Sequence, residues 1–148
     1  MREFFSKSFA QTFKIAERFS KVLVEGDLVR VSGGLGVGKT TFIKGIAQGF
    51  NFPKEEVLSS SFIILRRYEA KLPIFHIDLY RLKESQIPDE VYEIIFGGEG
   101  LVLIEWPERI KIRRDCFDIQ IEFLSLSERR VLIKANSPRL EKRLKFLE

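Results

Sequence analysis

Lys39 and Thr40 follow Gly33-Gly-Leu-Gly-Val-Gly38, and together these residues fill every fixed position of the spacing G-x-x-x-x-G-K-[ST]. Chance alone would place such a match in a chain of this composition roughly once in two hundred, so the segment is read as chemistry rather than as an ordinary turn. Glycines let successive backbone N–H groups curl round an anion with no Cβ in the way. A helix starting near Lys39 points its positive end at the same place. Lys39 brings a mobile charge to the β- and γ-phosphates of a nucleoside triphosphate, and the Thr40 hydroxyl is a ligand for Mg²⁺. Residues 33–41 are therefore expected to hold the phosphates of ATP. The chain has no Asn-Lys-x-Asp segment of the kind that reads guanine.

Such a loop needs an acid to complete the metal shell and orient water, and the natural place is the end of an apolar strand. Leu101-Val-Leu-Ile-Glu105 and Ile74-Phe-His-Ile-Asp78 both have that form. Glu105 is the better placed, because its strand is of the more buried type. Asp27 precedes the strand that enters the loop, at the wrong end for phosphates, and reads as a turn residue. Ser59-Ser-Ser61 offers hydroxyls that either sense a γ-phosphate, as switch segments do, or line a polar loop. His76, the one histidine, sits mid-strand and reads as a hydrogen-bonded structural residue before it reads as a base. Trp106, followed by Pro107, reads equally as a contact residue and as a lid on the core. Phe9 and Phe13 read mostly as core, with a residue of their helix available to cover the base.

The elements that must position these groups are legible in outline. Ser8 and Gln11 form a capping-box pattern before a helical apolar stripe of Phe9, Phe13 and Ala16, with Ile15 and Phe19 alongside. Gly26-Asp27 ends that unit, and residues 28–31 make a short strand into the loop. The next helix carries Phe42, Ile43, Ile46 and Ala47 and stops at Gly49. Residues 62–68, 74–79 and 101–106 are strand-length apolar segments, with a short helix over 88–96 closed by Gly97-Gly98. Residues 117–124 and 129–135 form an antiparallel pair, and Ser137-Pro138 opens a last helix. The expected fold is one α/β domain over residues 1–148: three layers, P-loop NTPase-like, with a mixed sheet.

The chain's 148 residues, 45% hydrophobic and 31% charged, suffice for a full core without disulfide or metal. No apolar run approaches the ~18 residues that span a bilayer, so no membrane partner is expected. The opening Met1-Arg-Glu-Phe-Phe-Ser-Lys lacks an apolar stretch with a cleavage site and reads as no signal peptide. The lone Cys116 excludes an intrachain disulfide, reads as a half-buried small hydrophobe and fits a reducing cytoplasm. A net charge of +4 gathers in Arg109-Ile-Lys-Ile-Arg-Arg114 and residues 139–145. It reads as solvated surface sooner than as a nucleic-acid groove.

Taken together, Gly-Gly-Leu-Gly-Val-Gly-Lys-Thr-Thr (33–41), Ser-Ser-Ser-Phe (59–62), His-Ile-Asp-Leu-Tyr-Arg (76–81) and Leu-Ile-Glu-Trp-Pro-Glu-Arg (103–109) resemble the TsaE (YjeE) family. These are bacterial ATPases required for threonylcarbamoyladenosine modification of tRNA. The resemblance runs from about Thr12 to Arg109, and its last two motifs are the most family-specific. It implies that Gly36, Val37, Gly38, Lys39, Thr40 and Thr41 wrap the phosphates and that Thr40 and Glu105 hold Mg²⁺. It further implies that Asp78 serves near metal or water, that Trp106 lies by the active centre, and that a residue near Phe9 touches the nucleotide. Lys39, Asp78 and Glu105 are then the catalytic set. The implied partners are TsaD-like and TsaB-like proteins, with hydrolysis acting as a switch on them and direct tRNA contact left open. Gly34 departs from the family's Asp, and Ser60-Ser61 from its Pro-Thr, although Ser61 keeps a hydroxyl.

Two other readings use the same loop. A small-molecule kinase would need converging arginines, for which Arg66-Arg67 and Arg113-Arg114 are the candidates. A nucleotide-gated binding module with little turnover is opposed by the intact Lys39, Thr40, Asp78 and Glu105.

Overall fold

Leu101-Val-Leu-Ile is apolar at four successive positions, and a strand apolar on both faces must be covered on both. The computed structural model describes residues 1–58 and 63–147. Its strands are β1 (Arg2–Ser6), β2 (Leu28–Ser32), β3 (Leu65–Glu69), β4 (Pro73–Asp78), β5 (Leu101–Glu105), β6 (Phe117–Phe123) and β7 (Arg129–Ala135). They form one mixed sheet in the order β1-β7-β6-β2-β5-β4-β3. Parallel pairing joins β4, β5, β2 and β6, and the strands outside them pair antiparallel. The strand that feeds the glycine loop thus lies at the centre, flanked by the strand that ends in Glu105.

The helices are α1 (Phe9–Ser20), α2 (Lys39–Gly49), α3 (Asp89–Gly97) and α4 (Pro138–Leu144). α1, α2 and α4 cover one face, packing Phe19, Phe42, Ile43, Ile46 and Leu140 on Val29, Val31, Leu103, Phe117 and Ile119. On the other face Val91 and Ile95 of α3 pack with Phe75, Ile77, Val102 and Ile104. The expected third layer covers only part of the sheet. β6 buries Phe117, Ile119 and Ile121 and turns Asp118, Gln120 and Glu122 away from the core, the period-two pattern of a strand covered on one side.

β1 was not anticipated from the sequence. Its signal is weak because only Ser6 is fully buried, and its ladder is to residues of β7 more than a hundred positions away. β3 starts at Leu65 rather than at 62, and residue 62 lies outside the described residues. Asp27 is a turn residue as expected, but a buried one that accepts the Val24 N–H at 2.8 Å and pairs with Arg143 of α4.

Ser8 caps α1 by accepting the Gln11 N–H at 3.1 Å, and the Gln11 side chain accepts from Lys7 N–H at 2.7 Å. The buried face of this helix is Thr12, Ile15, Ala16, Phe19 and Ser20. The placing of Phe9 and Phe13 in the core is therefore corrected: Phe9 is 50% exposed and Phe13 half-buried. The reason lies in the seam with α2. A Cβ on Gly45 would stand 2.5 Å from the Phe13 carbonyl oxygen and 2.6 Å from the Ala16 Cβ. One on Gly49 would stand 1.8 Å from the Ser20 hydroxyl. Small residues fill so close a crossing, and the two rings are displaced to its edge, Phe9 beside Gly38 of the glycine loop and Phe13 beside Lys54.

Gly45→Ala tests this seam by its sign. Alanine in a helix interior ordinarily stabilises by about 0.5–1 kcal/mol over glycine. Here the added methyl meets backbone, and we expect a net loss of about 1–3 kcal/mol in urea unfolding. A gain in stability would show that the helices are not in this contact.

Candidate functional site

β2 ends at Ser32, and the chain turns through the glycine loop into α2. Gly36 (φ +72°) and Gly38 (φ +118°) lie in left-handed backbone that a Cβ would strain. No side chain caps α2, and its first ladder bond runs from Phe42 N–H to the Gly38 carbonyl at 2.9 Å. The N–H groups of Lys39, Thr40 and Thr41 thus have no partner within the helix, and they open towards the loop. Arg129 of β7 holds the loop from behind: its Nε donates to the Val37 carbonyl at 2.9 Å, and its guanidinium lies 4.2 Å from the Phe9 ring centre.

Beside this loop the parallel strands deliver their carboxyl ends, the usual position of a ligand site in such sheets. Asp78 and Glu105 are register partners at the ends of β4 and β5. The Thr40 hydroxyl donates to Glu105 Oε1 at 3.2 Å, so the first turn of α2 and the end of β5 meet directly. Glu105 Oε2 lies 2.7 Å from His76 Nε2, and His76 Nδ1 lies 2.7 Å from the Tyr68 hydroxyl. Asp78 accepts the Tyr80 N–H at 3.0 Å, and burial pushes its carboxyl above the usual range. Lys39 Nζ donates to the carbonyls of Gly33 (2.7 Å) and Gly34 (2.8 Å) and lies 4.1 Å from the centre of the Trp106 ring. Its burial lowers the ammonium pKa, against the pull of Glu105, Glu108 and Asp78. Trp106 takes left-handed backbone (φ +59°), a strained state for a bulky residue, and its ring meets that of Tyr80 at 4.9 Å.

A cavity of about 270 Å³ brings together Phe9, Gly36, Gly38, Lys39, Thr40, Thr41, Asp78, Glu105 and Trp106. Val37 is not on its wall; its side chain is buried in the core, and its carbonyl is taken by Arg129. A second cavity of about 500 Å³ shares Phe9 and Thr41 and adds Phe13, Lys14, Lys44 and Lys54. The serines at 59–61 lie outside the described residues. Gly34 has open space where a side chain would project, so that position tolerates one without repacking. Cys116 is buried, which pushes its thiol up to about 11 and leaves it inert.

Sequence reasoning did not single out Tyr80, Arg129 or the bond between His76 and Glu105. Tyr80 stands in the His-Ile-Asp-Leu-Tyr-Arg motif, which was a usable signal; Arg129 is 92 residues from Val37 and offered none. Among the described residues no three His, Cys, Asp or Glu side chains cluster as a metal cage. The Thr40 hydroxyl and the Glu105 carboxylate are hard oxygen donors. They suit Mg²⁺, which takes few protein ligands and completes its shell with phosphate and water.

The family described as threonylcarbamoyl adenosine biosynthesis protein TsaE matches residues 6–131. A tRNA threonylcarbamoyladenosine biosynthesis protein TsaE from Aquifex aeolicus is 35% identical over 136 residues, 90% of this chain and 96% of its own. The protein of the same name from Bacillus subtilis is 33% identical over 134 residues, covering 88% and 84%. The crystal structure of Bacillus subtilis YdiB superposes with a TM-score of 0.79 at 28% identity, over 99% of this chain and 93% of that one. The chain belongs to the TsaE family.

The raised Asp78 carboxyl makes a testable statement about stability. Its folded pKa exceeds its unfolded value, so stability is full below the ordinary carboxylate range and falls as pH rises through the folded value. Asp78→Asn keeps an acceptor for the Tyr80 N–H and carries no such penalty. We expect this variant to be more stable than the native chain in urea at about pH 7, with the difference gone at about pH 3. Equal stabilities at the higher pH would mean that burial does not burden this carboxylate.

Proposed function

We propose that this member of the TsaE family binds and hydrolyses ATP within the machinery that installs threonylcarbamoyladenosine next to the anticodon of tRNA. It acts through a TsaD–TsaB-like pair rather than on the base itself. The observation that carries the reading is the uncapped N-terminus of α2, set under a glycine loop with Lys39, Thr40 and Glu105 converging beside it. Backbone N–H groups of residues 36–41 cradle the phosphates, and Lys39 leaves the Gly33 and Gly34 carbonyls for the β- and γ-oxygens. Thr40 and Glu105 are the residues that would hold Mg²⁺, which supplies positive charge against the triphosphate when bound. Asp78, beside them with its second oxygen not used by Tyr80, orients water. Phe9 with Phe13 and the neighbouring lysines borders the groove where the base and ribose extend from Thr41.

The kinase reading is weaker on the same grounds. Neither arginine pair lines the cavity. Arg67 pairs with Glu69 and Glu99, and Arg114 donates to the carbonyls of Gly26 and Ile95. The basic stretch still offers a docking edge to a protein partner, since Lys111 and Arg113 remain exposed.

Two variants separate binding from turnover. Lys39→Ala removes a charge-assisted phosphate contact and should weaken ATP binding by about 1.5–3 kcal/mol in calorimetric titration. Unchanged affinity would place Lys39 away from the phosphates. Glu105→Gln keeps the shape and loses the charge. ATP should still bind, while Mg²⁺-dependent phosphate release in the assembled system falls by about two orders of magnitude. Normal release would remove Glu105 from the reaction.

A further inference from the structure

His76 is the chain's one histidine and is only 2% exposed, yet it contacts the acid that the preceding reading places on the metal. It stands on β4 opposite Leu103 of β5, two residues before Glu105 on the same face of that strand. Its Nε2 reaches Glu105 Oε2 at 2.7 Å. Its Nδ1 reaches the hydroxyl of Tyr68, which lies diagonally across the ladder between β3 and β4. Tyr68 is itself fixed, buried and stacked on Phe52 with ring centres 4.7 Å apart.

The chemistry of the three groups assigns the protons. A carboxylate oxygen only accepts, so His76 Nε2 carries the hydrogen; in the neutral tautomer that this requires, Nδ1 is bare and is the acceptor for the tyrosine hydroxyl. Burial raises the Tyr68 pKa and so keeps that donor in place. The consequence falls on Glu105. Its Oε2 is occupied by the imidazole, and Oε1 is the oxygen nearer the Thr40 hydroxyl, at 3.2 Å against 3.5 Å. Without the imidazole the carboxylate would be free to rotate and present either oxygen, or neither, to an ion beside Thr40.

We propose that His76, itself held by Tyr68, is a positioning residue that locks the Glu105 carboxylate with Oε1 towards the metal and the γ-phosphate. This rests on the assignment of Thr40 and Glu105 to Mg²⁺. Hydrogen-bond partners of metal ligands typically govern a 10–100-fold range of metal affinity, whereas a merely structural histidine would affect folding and all nucleotide binding alike.

The test is calorimetric titration of the full chain with ATP, with and without Mg²⁺. His76→Phe fills the space without a donor, His76→Gln returns an N–H to the same oxygen, and Tyr68→Phe keeps the stack on Phe52 but frees the imidazole. In His76→Phe the Mg²⁺-dependent gain in affinity should fall about tenfold, while affinity without Mg²⁺ stays within about twofold. His76→Gln should recover most of the gain, and Tyr68→Phe should lose part of it. A full gain in His76→Phe, or equal losses with and without Mg²⁺, overturns the proposal. Should His76→Phe not fold, a native gain in Tyr68→Phe overturns it instead. A native chain with no Mg²⁺-dependent gain would defeat the metal assignment beneath it, a different result from a gain that survives the loss of His76.

Discussion

Three backbone N–H groups at the start of α2 have no acceptor in their own helix, and no side chain caps them. An uncapped helix end that is packed into a protein needs a partner, and the aligned peptide dipoles make an anion the favoured one. Much of the surrounding architecture follows from keeping those donors accessible. The loop must curl over them without side chains, hence its left-handed glycines. The strand that leads into it must be central, so that neighbouring strands on one side deliver acids to the same edge. α2 itself is anchored along its length by Phe42, Ile43 and Ile46, so its end is aimed by the core rather than by the loop.

The charges gathered there do not neutralise one another cheaply. Lys39, Asp78 and Glu105 are all buried, and the site's acids do not restore Lys39 to its ordinary range, nor does Lys39 restore Asp78. Each side chain has taken a local partner instead: Lys39 two loop carbonyls and an indole face, Asp78 a backbone N–H, Glu105 a hydroxyl and an imidazole. The two acids, adjacent in register, are thereby made different. Glu105 is bonded through both oxygens and fixed; Asp78 is bonded through one and desolvated. Such a site is less stable than a neutral one would be, as is common where stability yields to chemistry.

Much of this was legible in the sequence because it is written locally. The glycine loop is a contiguous motif, the acids stand at the ends of apolar runs, and the cap of α1 is spelled by Ser8 and Gln11. What was not legible is set by packing between distant segments. Phe9 and Phe13 fit a helical stripe as well as Ile15 and Phe19 do; only the close crossing at Gly45 decides which are buried. Arg129 supports Val37 across 92 residues, and β1 joins the sheet through β7 at the far end of the chain. His76 was rightly read as hydrogen-bonded, but its partner came from the register of β4 with β5, which no spacing within the chain reveals.

The loop and the strand end are coupled through Trp106. Its ring meets both Lys39 and Tyr80, while its backbone holds the strained turn that ends β5 one residue after Glu105. Any displacement of Lys39 from the loop carbonyls would remove or redirect a cation–π contact worth roughly 0.5–2 kcal/mol. That is comparable to the strain stored in a left-handed bulky residue, of order 1–3 kcal/mol. The segment from Glu105 to Arg109 thus carries both the acid that meets Thr40 and the indole that meets Lys39. It also runs directly into the exposed basic residues Lys111 and Arg113.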